Sequence, residues 1–272
     1  MKFIFFLFLI PALVFAQGNK ISSDLKIAGH RGGYYYEHPE SSFPLFEYIA
    51  KKFKSDTIIV ELDLRKSKDG TIYIMHDETV DRTTNGNGKI DQLEEAYLNS
   101  LLLKKENSQL TRERIPTFEQ VLTHIKKKNI NLMLDIKTPI HDEAYELVKK
   151  HKMENRMLTL TFNMDLTKKV AALSNQISLS ALMESENDWQ QFKDVPMAAG
   201  KKIAYINQKT PASLIQELKK NKIKIMADVS EVLRNSSKPL DREGYMNKVN
   251  ANSLDILITD FPIEAREALI KD

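Results

Sequence analysis

Glu61-Leu62-Asp63 sets two carboxylates two residues apart. In a strand such residues face the same side. Two acids on one face repel unless something positive lies between them, and a hard divalent cation, Mg2+ or Ca2+, suits oxygen ligands. Alone, the tripeptide fits a solvated strand end with salt bridges equally well. Asp135-Ile136-Lys137 repeats the spacing at the end of an apolar stretch, Leu132–Ile136, where an aspartate and a lysine are costly unless paired. The third acid favours a metal centre of Glu61, Asp63 and Asp135. His30-Arg31-Gly32-Gly33 adds an imidazole that titrates near neutral pH, a guanidinium matched to paired phosphate oxygens, and glycines that permit close backbone approach. His76 ends another short apolar run. The weight lies in company: His30, His76, the three acids, Arg31 and Lys137 all fall at strand ends on one face.

The elements that must hold them follow from the apolar pattern. Short runs recur at Lys26–Ala28, Thr57–Leu64, Asn131–Ile136, Met157–Phe162, Ile177–Met183, Lys202–Ile206, Lys222–Ala227 and Leu254–Thr259, and most end in a polar or charged residue. Helical stripes lie between them. Phe43, Phe46, Ile49, Ala50 and Phe53 form one; Phe118, Val121, Leu122 and Ile125 form another behind a Thr117…Gln120 capping box. Thr210-Pro211 reads as an N-cap and first helical residue. Eight strands alternating with helices predict an α/β fold, a single (β/α)8 TIM barrel with its site at the C-terminal mouth. Ile72–Met75 follows the second strand too closely for a helical crossover. Asp69-Gly70 predicts a two-residue hairpin pairing Lys68 with Thr71, Arg65 with Ile74 and Asp63 with His76, folded over the mouth. Residues 77–115 read as a cap-like insertion, helical over Leu93–Leu103.

Composition bounds the rest. The chain has 272 residues, no cysteine and a formal net charge of +3. Disulfides, thiolate metal sites and a lipid-anchor cysteine are excluded. Lys2 followed by an apolar run to Ala16 reads as a cleaved signal peptide, too short to span a bilayer, so no stable membrane anchor is expected. Net charge falls to +2 without Lys2, too mild to argue for nucleic acid or an anionic membrane surface. A secreted or periplasmic protein is expected, with one domain over residues 17–272.

In order along the chain these motifs resemble the glycerophosphodiester phosphodiesterases. The resemblance rests on His30-Arg31-Gly32 with Pro39-Glu40-Ser41-Ser42, Glu61-Leu62-Asp63, Lys68-Asp69-Gly70, and His76-Asp77-Glu78-Thr79-Val80-Asp81-Arg82-Thr83-Thr84-Asn85-Gly86. Ile115-Pro116-Thr117-Phe118, Asp135-Ile136-Lys137 and Ile258-Thr259-Asp260-Phe261-Pro262 complete it, over about residues 27–262. It implies His30 and His76 as an acid/base pair, and Glu61, Asp63 and Asp135 as ligands of one divalent cation. It also implies that Arg31 and Lys137, with Glu40 beside them, bind the substrate phosphate. The implied substrate is a small glycerophosphodiester, split into glycerol 3-phosphate and an alcohol. The sequence departs from the family pattern at Ser41 (usually Asn), at Asp135 (usually Glu), and at Ile225-Met226-Ala227-Asp228, where an aromatic residue and then Asn are usual. Two other readings stay open: a metal-free phosphoinositide-type lyase, which the acidic triad disfavours, and a non-catalytic binding module for glycerophosphate or lipid headgroups. Exported protein should begin at or near Gln17 by intact-mass measurement; Met1–Ala16 retained in a membrane fraction would contradict the signal-peptide reading.

Overall fold

The computed structural model describes residues 24–234 and 236–270, so the signal-peptide reading of Met1–Ala16 lies outside the described residues. Eight parallel strands close a barrel: β1 (Lys26–Gly29), β2 (Ile58–Lys66), β4 (Ile130–Ile136), β5 (Met157–Thr161), β6 (Ser178–Leu182), β7 (Lys202–Ile206), β8 (Lys224–Asp228) and β9 (Ile256–Thr259). An added strand, β3 (Ile72–Ile74), runs antiparallel to the far end of β2. All eight runs read from the sequence become barrel strands. The closing seam is its shortest: β1 meets β2 only through Ala28–Ile59 and Gly29–Val60, whereas β2 meets β4 from Ile58–Ile130 to Leu64–Ile136.

The helices are α1 (Phe43–Phe53), α2 (Glu95–Leu98), α3 (Phe118–Ile125), α4 (His141–His151), α5 (Met164–Ala171), α6 (Glu186–Lys193), α7 (Ala212–Lys220), α8 (Arg242–Asn252) and α9 (Pro262–Leu269). Except for α2, their apolar stripes cover the outer faces of the strands, as Leu45, Phe46 and Ile49 of α1 do with Val60 and Leu62 of β2. The Thr117–Gln120 capping box forms in full at the start of α3. Thr210 does not cap α7; its hydroxyl donates to the Met183 carbonyl at 2.6 Å, and Pro211 directly precedes the helix. Long-range anchoring outcompeted the local cap.

The hairpin register differs by one residue from the expected one. Lys66 pairs with Ile72, Arg65 with Tyr73 and Leu64 with Ile74. The loop has three residues, Lys68–Gly70. The Ser67 hydroxyl accepts from Thr71 N at 2.9 Å and donates to Asp69 at 2.6 Å, while Gly70 takes a φ of +99° that only glycine adopts freely. These side-chain bonds favour the longer loop. Met75, not His76, therefore opposes Asp63, with its N–H on the Asp63 carbonyl at 2.9 Å. His76 lies beyond the paired strand, where alternation no longer fixes a side chain.

In the segment after β3, the expected helix over Leu93–Leu103 shrinks to α2, Glu95–Leu98. Tyr73, Met75, Val80, Ile90, Leu98, Leu101, Leu103 and Ile115 form a small core of its own there. That core fixes an irregular backbone without a long helix.

Candidate active site

Strand alternation builds the site. Ala28, Ile59, Met133, Ile203, Met226 and Ile258 fill the barrel interior. Counting on in twos towards the C-terminal ends reaches His30, then Glu61 and Asp63, then Asp135 and Lys137, then Tyr205, Asp228 and Asp260. One face of a sheet that is apolar at mid-barrel turns ionic at its rim.

Glu61 and Asp63 are 3% and 1% exposed. With Asp135 they each offer an oxygen, all within 4.8 Å of one another, and this is the acidic cluster of metal-binding shape among the described residues. Lys137 Nζ lies 2.5 Å from Asp135 Oδ2 and 2.9 Å from Asp63 Oδ1. The second approach is a charge contact without hydrogen-bond alignment, so neither buried oxygen of Asp63 has a hydrogen-bond partner. Burial first, then the charges of Asp63 and Asp135, push Glu61 well above the usual carboxylate range, to about 8. Three crowded oxygen donors, one wholly unsatisfied, fit a hard divalent cation.

His30 sits where β1 breaks into a tight turn. Arg31, Gly32 and Gly33 all have positive φ, at +49°, +84° and +106°. A Cβ on Gly33 would come within 2.8 Å of the Tyr35 ring, so glycine is required twice over there. The turn aims the Arg31 N–H at Glu61 Oε2, 2.6 Å away. His30 Nδ1 meets Asp260 Oδ1 at 2.8 Å, and Asp260 Oδ2 accepts from Val232 N at 2.8 Å. Burial alone would lower the His30 pKa. The Asp260 hydrogen bond and the charges of Glu61 and Asp260 outweigh it and raise the pKa to about 9. Asp260 is in turn seated by buried Glu231, which accepts from the Asp260 N–H at 3.0 Å and binds the hydroxyls of Thr259 and Tyr245.

His76 reaches the same mouth through a chain of charges. Its Nδ1 is 2.8 Å from Asp77 Oδ1, and Arg65 Nε donates to its carbonyl at 2.9 Å. Asp77 accepts from Arg82 Nε at 2.6 Å; Arg82 grips both oxygens of Glu40 at 2.8 Å, and Glu40 lies 3.7 Å from Arg31. Arg82 holds the Asp77 carboxyl far below the usual range. Glu40, expected in the phosphate-binding set, is an acceptor with both oxygens engaged, and its place here is to hold Arg31 and Arg82. Ser41 adopts φ +54° with its N–H on the Arg31 carbonyl at 3.3 Å, a conformation asparagine takes more readily. Asp228 turns back on its own loop, one carboxylate oxygen accepting from both the N–H and the hydroxyl of Ser230.

The other four histidines have other partners: His38 stacks on Tyr48, His124 stacks on Phe43 and pairs with Glu47, His151 pairs with Glu119, and His141 is buried at the start of α4. The sequence reading gave no role to Asp260, Asp77 or Arg82. Asp260 was reachable by counting two on from interior Ile258; the Arg82 bridge spans 42 residues and leaves no local signal.

Comparison with known proteins adds an independent line. Residues 30–264 match the family model described as the glycerophosphoryl diester phosphodiesterase family. The chain is 29% identical over 199 residues to a glycerophosphodiester phosphodiesterase of Bacillus subtilis, spanning 65% of this chain and 66% of that protein. It is 30% identical over 148 residues to human glycerophosphodiester phosphodiesterase 1, spanning 53% of this chain and 43% of that one. The matches thus span less than two thirds of the length of either relative. A crystal structure of a glycerophosphoryl diester phosphodiesterase from Parabacteroides distasonis superposes with a TM-score of 0.76 at 23% identity, covering 92% of this chain and 87% of that one. An Oleispira antarctica phosphodiesterase, in complex with the product sn-glycerol-3-phosphate, gives 0.67 at 22% identity, covering 89% and 96%. At those identities the two structures speak for the fold.

The His30 environment carries a pH signature. In protein stripped of divalent ions, the His30 ring should stay protonated through neutrality and titrate around pH 9, read by NMR of the imidazole. Its folded pKa is raised, so its stabilising contribution is complete below the unfolded value of 6.5 and disappears as pH rises through 9. Asp260→Asn should move the midpoint down; an unaltered midpoint would remove Asp260 as the proton's anchor.

Proposed function

The chain belongs to the glycerophosphoryl diester phosphodiesterase family, and on that premise we propose that it hydrolyses glycerophosphodiesters to glycerol 3-phosphate and an alcohol, with one divalent cation and a His30/His76 acid–base pair. The observation that carries this reading is the meeting of Glu61, Asp63 and Asp135 with Lys137, Arg31 and His30 at one barrel mouth. The product held by the Oleispira relative supports the substrate class. The reading also takes the protein to be exported, with Met1–Ala16 removed.

Glu61, Asp63 and Asp135 would hold the cation, which supplies charge neutralisation for an anionic phosphodiester. Arg31 offers a guanidinium for a pair of nonbridging oxygens, aimed by Glu40; Lys137 adds a second positive charge from the end of β4. The nucleophile is the substrate's own neighbouring glycerol hydroxyl. His76, with Nδ1 fixed on Asp77, takes the hydroxyl proton at Nε2. His30, kept protonated by Asp260, gives its Nε2 proton to the departing alcohol as the P–O bond breaks. A cyclic phosphate forms, and water opens it with the two roles reversed. Both imidazoles thus have one nitrogen locked by a carboxylate, which fixes the ring and leaves the other nitrogen for chemistry.

Cation binding has a readout apart from turnover. Mg2+ or Ca2+ should raise the melting temperature of the native chain and leave Asp63→Asn unmoved, and chelation should abolish alcohol release until the ion is restored; equal shifts in both proteins would refute the acidic triad as the site. Alanine at His30 or His76 should lower turnover by about 100- to 10,000-fold. A diester with a nitrophenol leaving group needs no protonation, so it should restore most of the rate to His30→Ala and little to His76→Ala. Rescue of the other variant would exchange the two roles, and near-normal turnover in both would end the assignment.

A further inference from the structure

The end of the barrel opposite the mouth is built from seven connections in which a helix returns to the next barrel strand. Parallel strands with helices running back between them put all seven at the strand N-termini. Neighbouring connections are joined: the Ile58 N–H donates to the Asn129 carbonyl at 3.1 Å, and Arg156 donates to the carbonyls of Lys126 and Lys128 at 3.0 and 2.6 Å. Over the seven connections eight lysines and arginines stand against four acids. Acids gather at the other end, in the triad and in the first turns of α4, α5, α6, α8 and α9. A net charge of +3 therefore averages a cationic face and an acid-rich mouth.

Helix dipoles account for only part of this face. Lysines in the last turns of α1, α4 and α7 already meet the carbonyl ends of those helices. Just beyond them Lys54, Lys152 and Lys222 take positive φ, at +56°, +58° and +58°. Glycine or asparagine is usual where a helix ends in this way, and a residue with a Cβ is strained there. Charge is thus kept at this end against the local preference of the backbone. Lys54, Lys126, Lys127, Lys152 and Lys222 are exposed, and none has an acid partner among the described residues. Asp56, the acid beside Lys54, is held by Arg266. At the foot of the barrel interior Lys26 and Lys224 line a cavity of about 460 Å3 with Asp24 and Asp255, and Asp255 accepts from the Ile225 N–H at 2.8 Å.

We infer that this face docks reversibly on an anionic lipid bilayer and turns the mouth towards solution. The inference goes beyond the hydrolytic reading and does not rest on it. Lysine is a flexible point charge that meets phosphates at many positions, whereas a fixed geometry calls for arginine. The free lysines come from separate connections spread over a broad end, which suits a plane of headgroups. None of the seven connections contains an aromatic residue, so nucleic-acid bases find no stacking platform. The contact is peripheral: no helix among the described residues is long and apolar enough to cross a membrane. Each lysine close to such a surface multiplies partitioning about fivefold, and salt screens the attraction over a Debye length of about 10 Å.

Co-sedimentation tests it. Native protein is mixed with vesicles of phosphatidylglycerol and phosphatidylcholine, or of phosphatidylcholine alone. It should bind the anionic vesicles only, and leave them at about 0.5 M salt. Lys126→Gln, Lys127→Gln and Lys222→Gln together should lower partitioning by about 100-fold. Lys89→Gln, Lys209→Gln and Lys238→Gln together remove the same charge from strand-to-helix connections and should leave partitioning unchanged. Lys152→Gly and Lys222→Gly should weaken binding without lowering the melting temperature; a lower melting temperature would return these lysines to a structural role and overturn the inference. No binding to the anionic vesicles, equal losses in the two triple variants, or tighter binding to a DNA duplex at the same ionic strength would also overturn it. Turnover of a soluble glycerophosphodiester should be the same with and without vesicles, and inhibition on binding would overturn the orientation. If no diester is cleaved at all, the hydrolytic reading fails and the vesicle arms decide the docking face by themselves.

Discussion

Three carboxylates crowded at the end of a closed barrel set the terms for everything around them. Burial and mutual repulsion make Glu61 resist ionisation, and Asp63 has no hydrogen-bond partner for either oxygen. Each neighbouring feature answers that imbalance with positive charge or a donor. Lys137 leans between Asp63 and Asp135, the Arg31 N–H caps Glu61, and the imidazole of His30 is drawn to its cationic form. The same imbalance suits the mouth to a divalent cation. Attraction of opposite charges in a site of low polarity thus links the strand ends to the chemistry.

The second organising feature is the run of charges from His76 through Asp77, Arg82 and Glu40 to Arg31. It joins the segment after β3 to the turn after β1, and so couples the two histidines without contact between them. The bidentate Arg82–Glu40 pair gives the run a fixed geometry that a flexible lysine would not. Glu40 is therefore the acid that ties the two arginines, Arg31 and Arg82, together.

Much of this was legible in the sequence because strands report their geometry in steps of two. Glu61, Asp63, Asp135 and Lys137 could be placed on one inward face from spacing alone, and the eight apolar runs became the eight barrel strands. Reading failed where side chains rewrote the local backbone. Ser67 and Asp69 stabilised a longer loop than Asp69-Gly70 suggests, and slid β3 by one residue. Thr210 bonded across to Met183 instead of capping its own helix. Residues that act at a distance, Arg82 on Glu40 and Glu231 on Asp260, have no periodic signature, since folding alone brings them together.

The short closing seam has a mechanical side. A closed ring is only as continuous as its weakest join, and here that join is Ala28–Ile59 and Gly29–Val60, reinforced by the Arg31 N–H on Glu61. Arg31 stands at one lip of the seam, and Lys137 follows β4, one strand beyond the other lip. A phosphate gripped by both would act as a rivet across the gap, resisting the hoop strain that opens a barrel. Such a tie would fall at the join that the strands themselves hold least.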